Sequence, residues 1–179
     1  MLDRAGRLWV IHISNDDRVA ALARERKFIC IGWTALGDLT SLDTPAKLKA
    51  AMHRTWPEWT NHRIGKDAGQ VHRFAHEAAD GDAVLYPVKN SQDVWVGELA
   101  GSYRFASDDL GIGQTDYCNV RPVRWVAKVV RDRFEEELRA KFGKPGTFYE
   151  IKGDGLAEVR RLLTGALASR DRNRTPALD

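Results

Sequence analysis

Two side chains five residues apart, Trp33 and Asp38, are of types that suit the binding of a planar polar group. Trp33 directly follows the apolar stretch FICIG, residues 28–32, so its ring can lie at the end of a buried strand and face a cavity. Asp38 lies in a turn after Gly37, where its carboxylate can accept a hydrogen bond from an amine while backbone N–H groups, as at Leu39, donate. The alternatives are a core tryptophan and an aspartate that bonds its own turn.

Further candidates lie in segments that could flank such a site. Gln70 begins a predicted helix and can offer its amide to a ligand, or it can be solvated or cap the helix. Aromatic residues in predicted strands must divide between core, pocket and solvent because side chains alternate along a strand. These aromatic candidates are Tyr86, Trp95 and Tyr103. Arginines that could contact phosphates, or could simply be solvated, are Arg73, Arg104, Arg121 and Arg124.

The sequence gives catalysis little support. Glu150 and Lys152 match the E-x-K triplet of a Mg²⁺-dependent nuclease, but the upstream acids, which begin at Asp132, fall in or near a predicted helix. His72 and His76 have a spacing that can bind zinc, but no metalloprotease consensus or C-x2-C pair accompanies them. We therefore expect a binding domain with no catalytic residue, metal or cofactor, and a nuclease is the enzymatic alternative.

Composition points to an ordinary globular protein. The chain has 179 residues, of which 43% are hydrophobic and 30% charged. Its formal charge of +3 is too small to indicate nucleic-acid binding by itself, so such binding would need a local basic patch.

We expect one domain over residues 1–168 and a charged, disordered tail over residues 169–179. The sequence shows no membrane-spanning stretch or signal peptide, and we expect a cytoplasmic protein.

Apolar runs and their periodicity predict the elements that position these residues. The predicted strands cover residues 8–13, 28–32, 82–87, 94–105, 120–130 and 147–151. The predicted helices cover residues 17–26, 44–54, 69–79, 135–142 and 156–167, whereas residues 58–68 show no clear pattern. Pro122 interrupts a strand, which predicts an edge or a bulge there. The pattern indicates an α+β domain with a curved or barrel-like sheet of five or six strands and flanking helices.

An ordered series of motifs over residues 8–152 resembles one group of PUA-like domains. This group is related to the EVE family and often lies N-terminal to the nuclease of Mrr-type, modification-dependent restriction endonucleases. The motifs are IGW-x3-GDL at residues 31–39, GQ-x2-RF at 69–74, GD-x-V-x2-P at 81–87, VG-x5-Y at 96–103 and VRPVRW at 120–125. Each motif is common alone, so the resemblance depends on their order.

The resemblance implies a PUA-like, EVE-like pseudo-barrel that admits a flipped and often modified base into an aromatic pocket. An extruded base loses stacking and pairing worth a few kcal/mol, which an aromatic face and polar partners must replace. We expect a reader of a modified base in DNA, such as methylated or hydroxymethylated cytosine. It would act in restriction-modification and defence against foreign DNA, either alone or with an effector nuclease supplied separately. Alternatives are a pocket for RNA or a free small ligand, and a protein-interaction module that uses its aromatic surface or the helix at residues 156–167.

Overall fold

Seven strands and five α-helices are present in the part of the chain that the computed structural model describes, residues 2–106 and 110–172, with side chains through residue 165. The strands are β1 (Leu8–Ile11), β2 (Phe28–Ile31), β3 (Ala83–Pro87), β4 (Asp93–Leu99), β5 (Arg104–Phe105), β6 (Asn119–Val130) and β7 (Phe148–Ile151). The helices are α1 (Asp17–Glu25), α2 (Pro45–Thr55), α3 (Asn61–His72), α4 (Glu136–Lys141) and α5 (Gly155–Arg172).

The strands form one mixed sheet in the order β2-β6-β4-β3-β1-β7, and β5 also pairs with β6. Only β1 and β3 are parallel among the described strands. The long strand β6 bends the sheet, because its first residues pair with β2 and β5 whereas its remainder pairs with β4. The β4–β6 register shifts between Val96 and Gly97, where the pairing skips Val126, and an irregularity of this kind favours a bent strand. The structure thus confirms the predicted α+β architecture with a curved sheet and flanking helices.

Each face of the sheet carries its own apolar cluster. Along β1, Trp9 and Ile11 join the cluster under α1, α2 and α3, whereas Leu8 and Val10 join the cluster under α4 and α5. This alternation follows from the period of two in a strand and buries both faces. On the first face Trp9 stacks on Phe148, with ring centroids 4.8 Å apart.

Several element predictions need correction. The predicted strand over residues 94–105 is two strands, β4 and β5, separated by residues 100–103. Pro122 lies at neither an edge nor the register shift, because β6 has neighbours on both sides. The Val123 N–H donates to the Lys27 carbonyl on the β2 side of β6. Because N–H directions alternate along a strand, the nitrogen of Pro122 points to the other side, into the gap between β4 and β5, where no N–H is needed.

Helical structure also extends beyond the predicted limits. Helix α3 covers much of the segment without a clear pattern, and the chain continues from it into a π-helical turn at Arg73–Glu77. Helix α5 ends at Arg172, and residues 173–179 of the predicted tail lie outside the described residues. Among the described residues, no helix has the length and apolar character needed to cross a membrane.

Candidate functional site

A cavity of about 810 Å³ opens at one end of the sheet. Most of its wall is formed by chain segments next to the ends of strands. These segments follow β1, β2, β3 and β6 and precede β6 and β7. The rest of the wall comes from the connection between α2 and α3 and from the start of α3. Aromatic side chains form much of this wall: Trp33, Trp56, Trp59, Tyr86 and Tyr117. Basic side chains also line it: Arg63, Lys89 and Arg131. The cavity can therefore offer both stacking surfaces and positive charge to a ligand.

Trp56 and Trp59 form a stacked pair where α2 ends. Their ring centroids are 4.3 Å apart and their planes differ by 5°. A turn explains the pairing, because the Trp59 N–H donates to the Trp56 carbonyl at 3.1 Å and brings side chains three residues apart onto one side. Arg63, in the first turn of α3, places its Cζ atom 3.5 Å from the Trp59 ring centroid. Arg63 thus forms a cation–π contact inside the cavity.

Trp33 has an unusual backbone conformation, with φ 62° and ψ 31° in the left-handed region. This conformation is rare for a bulky residue and costs on the order of 1–3 kcal/mol, so the surroundings must enforce it. Asn119 Nδ2 donates to the Gly32 carbonyl at 2.7 Å, and the Thr34 N–H donates to Asp116 at 3.0 Å. The segment before and at the start of β6 therefore holds Trp33 from both sides.

Gly32 permits this arrangement because it has no side chain. A Cβ atom at Gly32 would lie 3.2 Å from a carboxylate oxygen of Asp116 and 3.4 Å from its carbonyl oxygen. The first distance is shorter than ordinary van der Waals contact, and the second is at its lower limit. The close approach of the two segments is therefore a physical reason for glycine before Trp33.

Three predicted pocket residues lie together but away from the cavity wall. Tyr103 donates its hydroxyl to Asn119 Oδ1 and accepts the Leu39 N–H, both at 2.9 Å. Burial raises the pKa of Tyr103 to about 12. Leu39 is fully buried, and Asp38 accepts hydrogen bonds from the backbone N–H and hydroxyl of Thr40, which lower its pKa. The geometry around Asp38 is that of a turn-capping residue.

The other pocket candidates have different positions. Tyr86 lines the cavity and is otherwise buried, whereas Trp95 packs edge-on against Trp125 outside the lining. Gln70 lines a second cavity of about 540 Å³, which shares Trp33, Arg63, Asp67 and Thr147 with the first. The Gln70 side-chain carbonyl accepts the backbone N–H groups of residues 147 and 148, so this residue anchors the start of β7.

The predicted phosphate contacts lie outside both cavity linings. Arg121 is only 3% exposed, and its guanidinium donates to the carbonyls of Phe74, Ala78 and Gly101. This geometry makes Arg121 an internal brace between β6 and the π-helical turn. Arg124 forms a 2.7 Å ion pair with Glu98 on the sheet surface. Arg73 is partly buried and Arg104 is exposed.

Titratable groups give the cavity a mixed electrostatic character. Burial, aided by the positive charge of Arg131, lowers the pKa of His12 and favours its neutral form. Asp67 is largely buried, and its carboxylate accepts from the Gln70 amide at 3.4 Å. With Asp116, it provides acceptor oxygens in a wall that also contains the basic residues named above. The sequence does not indicate Asp67 and Asp116 as site residues, because one lies in unpatterned chain and the other in a loop. His12 lies within the predicted strand over residues 8–13, where a histidine is expected to belong to the core.

Comparison with known proteins gives a family and several distant structural similarities. A family model described as "Domain of unknown function (DUF8426)" matches residues 9–152. No curated protein sequence matches the chain. A structure of the YTH domain-containing protein mmi1 with RNA has a TM-score of 0.46 and 7% identity, over 92% of this chain and 85% of that one.

A second structure contains the YTH domain of Zygosaccharomyces rouxii MRB1 in complex with N6-methyladenosine RNA. It has a TM-score of 0.45 and 16% identity, over 90% of this chain and 88% of the other.

Proposed function

The chain belongs to the DUF8426 family, and we propose that its main cavity receives one nucleobase extruded from a nucleic-acid strand, with a preference for a modified base. The observation that carries this proposal is the aromatic wall at the open end of the sheet, where Trp33 and the Trp56–Trp59 pair line the same cavity. Indole faces suit a flat heterocycle because stacking depends little on which base is present. The basic residues of the wall suit the adjoining phosphates.

Energetics require more than one contact with the base. Extrusion from a duplex costs a few kcal/mol, and stacking on an aromatic side chain returns about 1–3 kcal/mol per base. Stacking on a single indole therefore barely offsets the free-energy cost of extrusion. Stacking on two aromatic surfaces, together with hydrogen bonds to the base, exceeds that cost. Asp67 and Asp116 can accept from an exocyclic amine, the role that the sequence suggested for Asp38. An added methyl group would gain further apolar contact with the tryptophans.

We further propose that the strand is DNA and that the domain acts as a reader without catalysis. The resemblance to domains of modification-dependent restriction endonucleases supports DNA as the first candidate and a nuclease as a separate effector in defence. The Asp38–Leu39–Tyr103 cluster and the predicted arginines have other contacts in the structure, so we assign the base to the wall residues and the phosphates to Arg63, Lys89 and Arg131.

Binding to matched oligonucleotides tests this proposal. The set contains one sequence with a single central cytosine that is unmodified, 5-methylated or 5-hydroxymethylated, and the same sequence with adenine or N6-methyladenine, each as DNA and as RNA. We expect at least a tenfold lower Kd for one modified base than for its unmodified form in the same strand type. Equal affinities throughout, or no binding below tens of micromolar, would contradict modified-base recognition.

A free small ligand is the second candidate, favoured by the cavity volume of about 810 Å³, which falls within the range of small-molecule pockets. A thermal-shift series with free nucleosides separates the two functions, since a ligand that binds only the folded state raises the unfolding temperature. Strong stabilisation by a nucleoside, with no gain in affinity from a strand, would favour the small-ligand function.

A further inference from the structure

Arg63 lies where the two cavities meet. It lines both, and its exposed side chain covers Trp59 with Cζ 3.5 Å from the ring centroid. Trp56 already stacks against one face of Trp59, so the guanidinium occupies the other face. In the structure, both faces of this indole are therefore covered by the protein itself.

The contacts that hold Arg63 in this position are weak ones. Its side chain is 55% exposed, and its Nε atom lies 3.7 Å from a carboxylate oxygen of Asp67, one turn along the same helix. An exposed cation–π contact and a long i,i+4 ion pair each contribute little in water. A base that stacks on Trp59 can therefore displace the guanidinium at small cost.

The displaced Arg63 guanidinium can move into the second cavity, whose wall already includes Arg63. Besides Arg63, its lining includes His62 and Lys66, which are exposed on the same end of α3, and Thr147 just before β7. The Asp67 carboxylate also lines this cavity, so Arg63 and Lys66 provide two positive charges against one negative charge. Arg63 and Lys66 are three residues apart on a helix and so project to the same side. An arginine fork and a lysine that converge on one space are suited to a phosphate group.

We propose that Arg63 makes the site selective for a base that carries its backbone phosphate. In the empty cavity the guanidinium covers one face of Trp59. When a base enters, it displaces the guanidinium from this face, and the guanidinium then contacts the phosphate of the base in the second cavity. This inference rests on the proposed function, because it requires a base in the main cavity. It adds that a free nucleoside must compete with Arg63 without the compensating phosphate contact.

The test compares the wild-type chain with Arg63→Gln on three probes: 5-methyl-2′-deoxycytidine and its 5′- and 3′-monophosphates. The corresponding N6-methyl-2′-deoxyadenosine set is measured in the same way. We expect the wild type to bind one monophosphate at least about fivefold more tightly than the nucleoside, a gain typical of a charge-assisted contact. Arg63→Gln should bind the nucleoside as tightly or up to about threefold more tightly, and its phosphate preference should fall below about twofold.

Arg54→Gln is the matched control, because Arg54 is an exposed arginine outside both cavity linings. It should keep the phosphate preference. A preserved preference in Arg63→Gln, or a loss of nucleoside affinity in this variant, overturns the role of Arg63. Wild-type binding without any phosphate preference overturns this inference alone. Failure of the wild type to bind every probe and every modified oligonucleotide overturns the proposed function and this inference together.

Discussion

Trp33 combines an unfavourable backbone conformation with a position on the cavity wall. Left-handed backbone at a bulky residue persists only where neighbouring contacts enforce it, and such strain is concentrated at ligand-binding and active sites. The hydrogen bonds to Gly32 and Thr34 provide that enforcement. Because the backbone of Trp33 is already fixed, little backbone entropy is lost when a ligand stacks on its ring.

Trp33→Ala should weaken binding of the preferred modified oligonucleotide by at least about 1 kcal/mol, which is roughly fivefold in Kd, because one stacking face is lost. Equilibrium titration with fluorescently labelled DNA measures this change. Trp95→Ala removes a tryptophan outside the cavity lining and should leave the affinity within twofold. An unchanged Kd for a folded Trp33→Ala variant would argue against stacking on Trp33.

His12 should make the stability of the fold depend on pH. Its pKa in the folded protein is lowered from the ordinary 6.5, first by burial and then by Arg131. As the pH falls below 6.5, the unfolded chain takes up a proton that the folded protein resists, so the free energy of unfolding decreases. In urea titrations from pH 5 to 8, the free energy of unfolding of the wild type should therefore rise with pH relative to that of His12→Gln. Parallel stability curves for the two proteins would rule out this linkage.

The structure brings only some of the predicted pocket residues to the cavity, for a physical reason. Trp33 and Tyr86 line the cavity because each lies at the end of a buried strand on the open side of the sheet. Asp38 and Tyr103 follow similar strand and turn signals, but their partners are Thr40 and Asn119. A pattern along the chain indicates the direction of a side chain and does not reveal which distant segment meets it.

At the scale of elements, α3 determines much of the site and was the hardest to predict. Its sequence contains Gly65 and Gly69, which lower intrinsic helix propensity. Tertiary packing compensates, because Ile64, Ala68 and Val71 enter the main core cluster. The available signal was an N-cap at Thr60, whose hydroxyl accepts the N–H of Arg63 at 3.3 Å. The predicted helix begins only at residue 69, so it leaves out Arg63 and Asp67.

Asn119 connects the start of β6 to two other segments, and Asn119→Ala should show what this connection contributes. The substitution leaves the Gly32 carbonyl without its side-chain donor and the Tyr103 hydroxyl without its acceptor, which should cost about 2–4 kcal/mol of unfolding free energy. The affinity for the modified oligonucleotide should fall as well, since Trp33 loses one anchor. Denaturant titration and binding measurements below the unfolding transition test both effects.

Tyr103→Phe provides the comparison for this prediction. It removes the hydroxyl between Leu39 and Asn119 but retains the Asn119 amide for Gly32. The variant should lose stability and keep its affinity within about twofold of wild type, a small effect on the scale of stacking contributions. A loss of affinity equal to that of Asn119→Ala would show that the anchoring of Trp33 does not depend specifically on the Asn119–Gly32 bond.

At the scale of the whole molecule, segments that are distant in sequence come together at one open end of the curved sheet and form the cavity. The sequence predicts the α+β class and the curvature, because strand and helix patterns are local. It does not predict the cavity, which requires the α2–α3 connection to meet the β3–β4 loop. The formal charge of +3 is small, so attraction to a nucleic acid must come from the arrangement of a few cations.

Lys89 should contribute to binding through charge alone. It is exposed at the cavity, with its Nζ atom 3.1 Å from Asn15 Oδ1. If it contacts a phosphate of a single strand, Lys89→Ala should reduce the slope of log K against log salt concentration by about 0.7, with no change in preference among modified bases. Lys49→Ala, at an exposed position on α2 outside the cavity lining, should leave the slope unchanged. An equal reduction in both variants would indicate a diffuse electrostatic effect.

The most direct test of base entry follows the indole N–H signals of the six tryptophans by NMR during titration with the preferred modified oligonucleotide. Trp→Phe substitutions assign these signals. The signals of Trp33, Trp56 and Trp59 should shift as the complex forms, because a base in the cavity lies against their rings. The signal of Trp9, whose buried Nε1 donates to Asp82 at 2.8 Å, should remain in place. Saturating binding with the three cavity signals unmoved would contradict the proposal that a base enters this cavity.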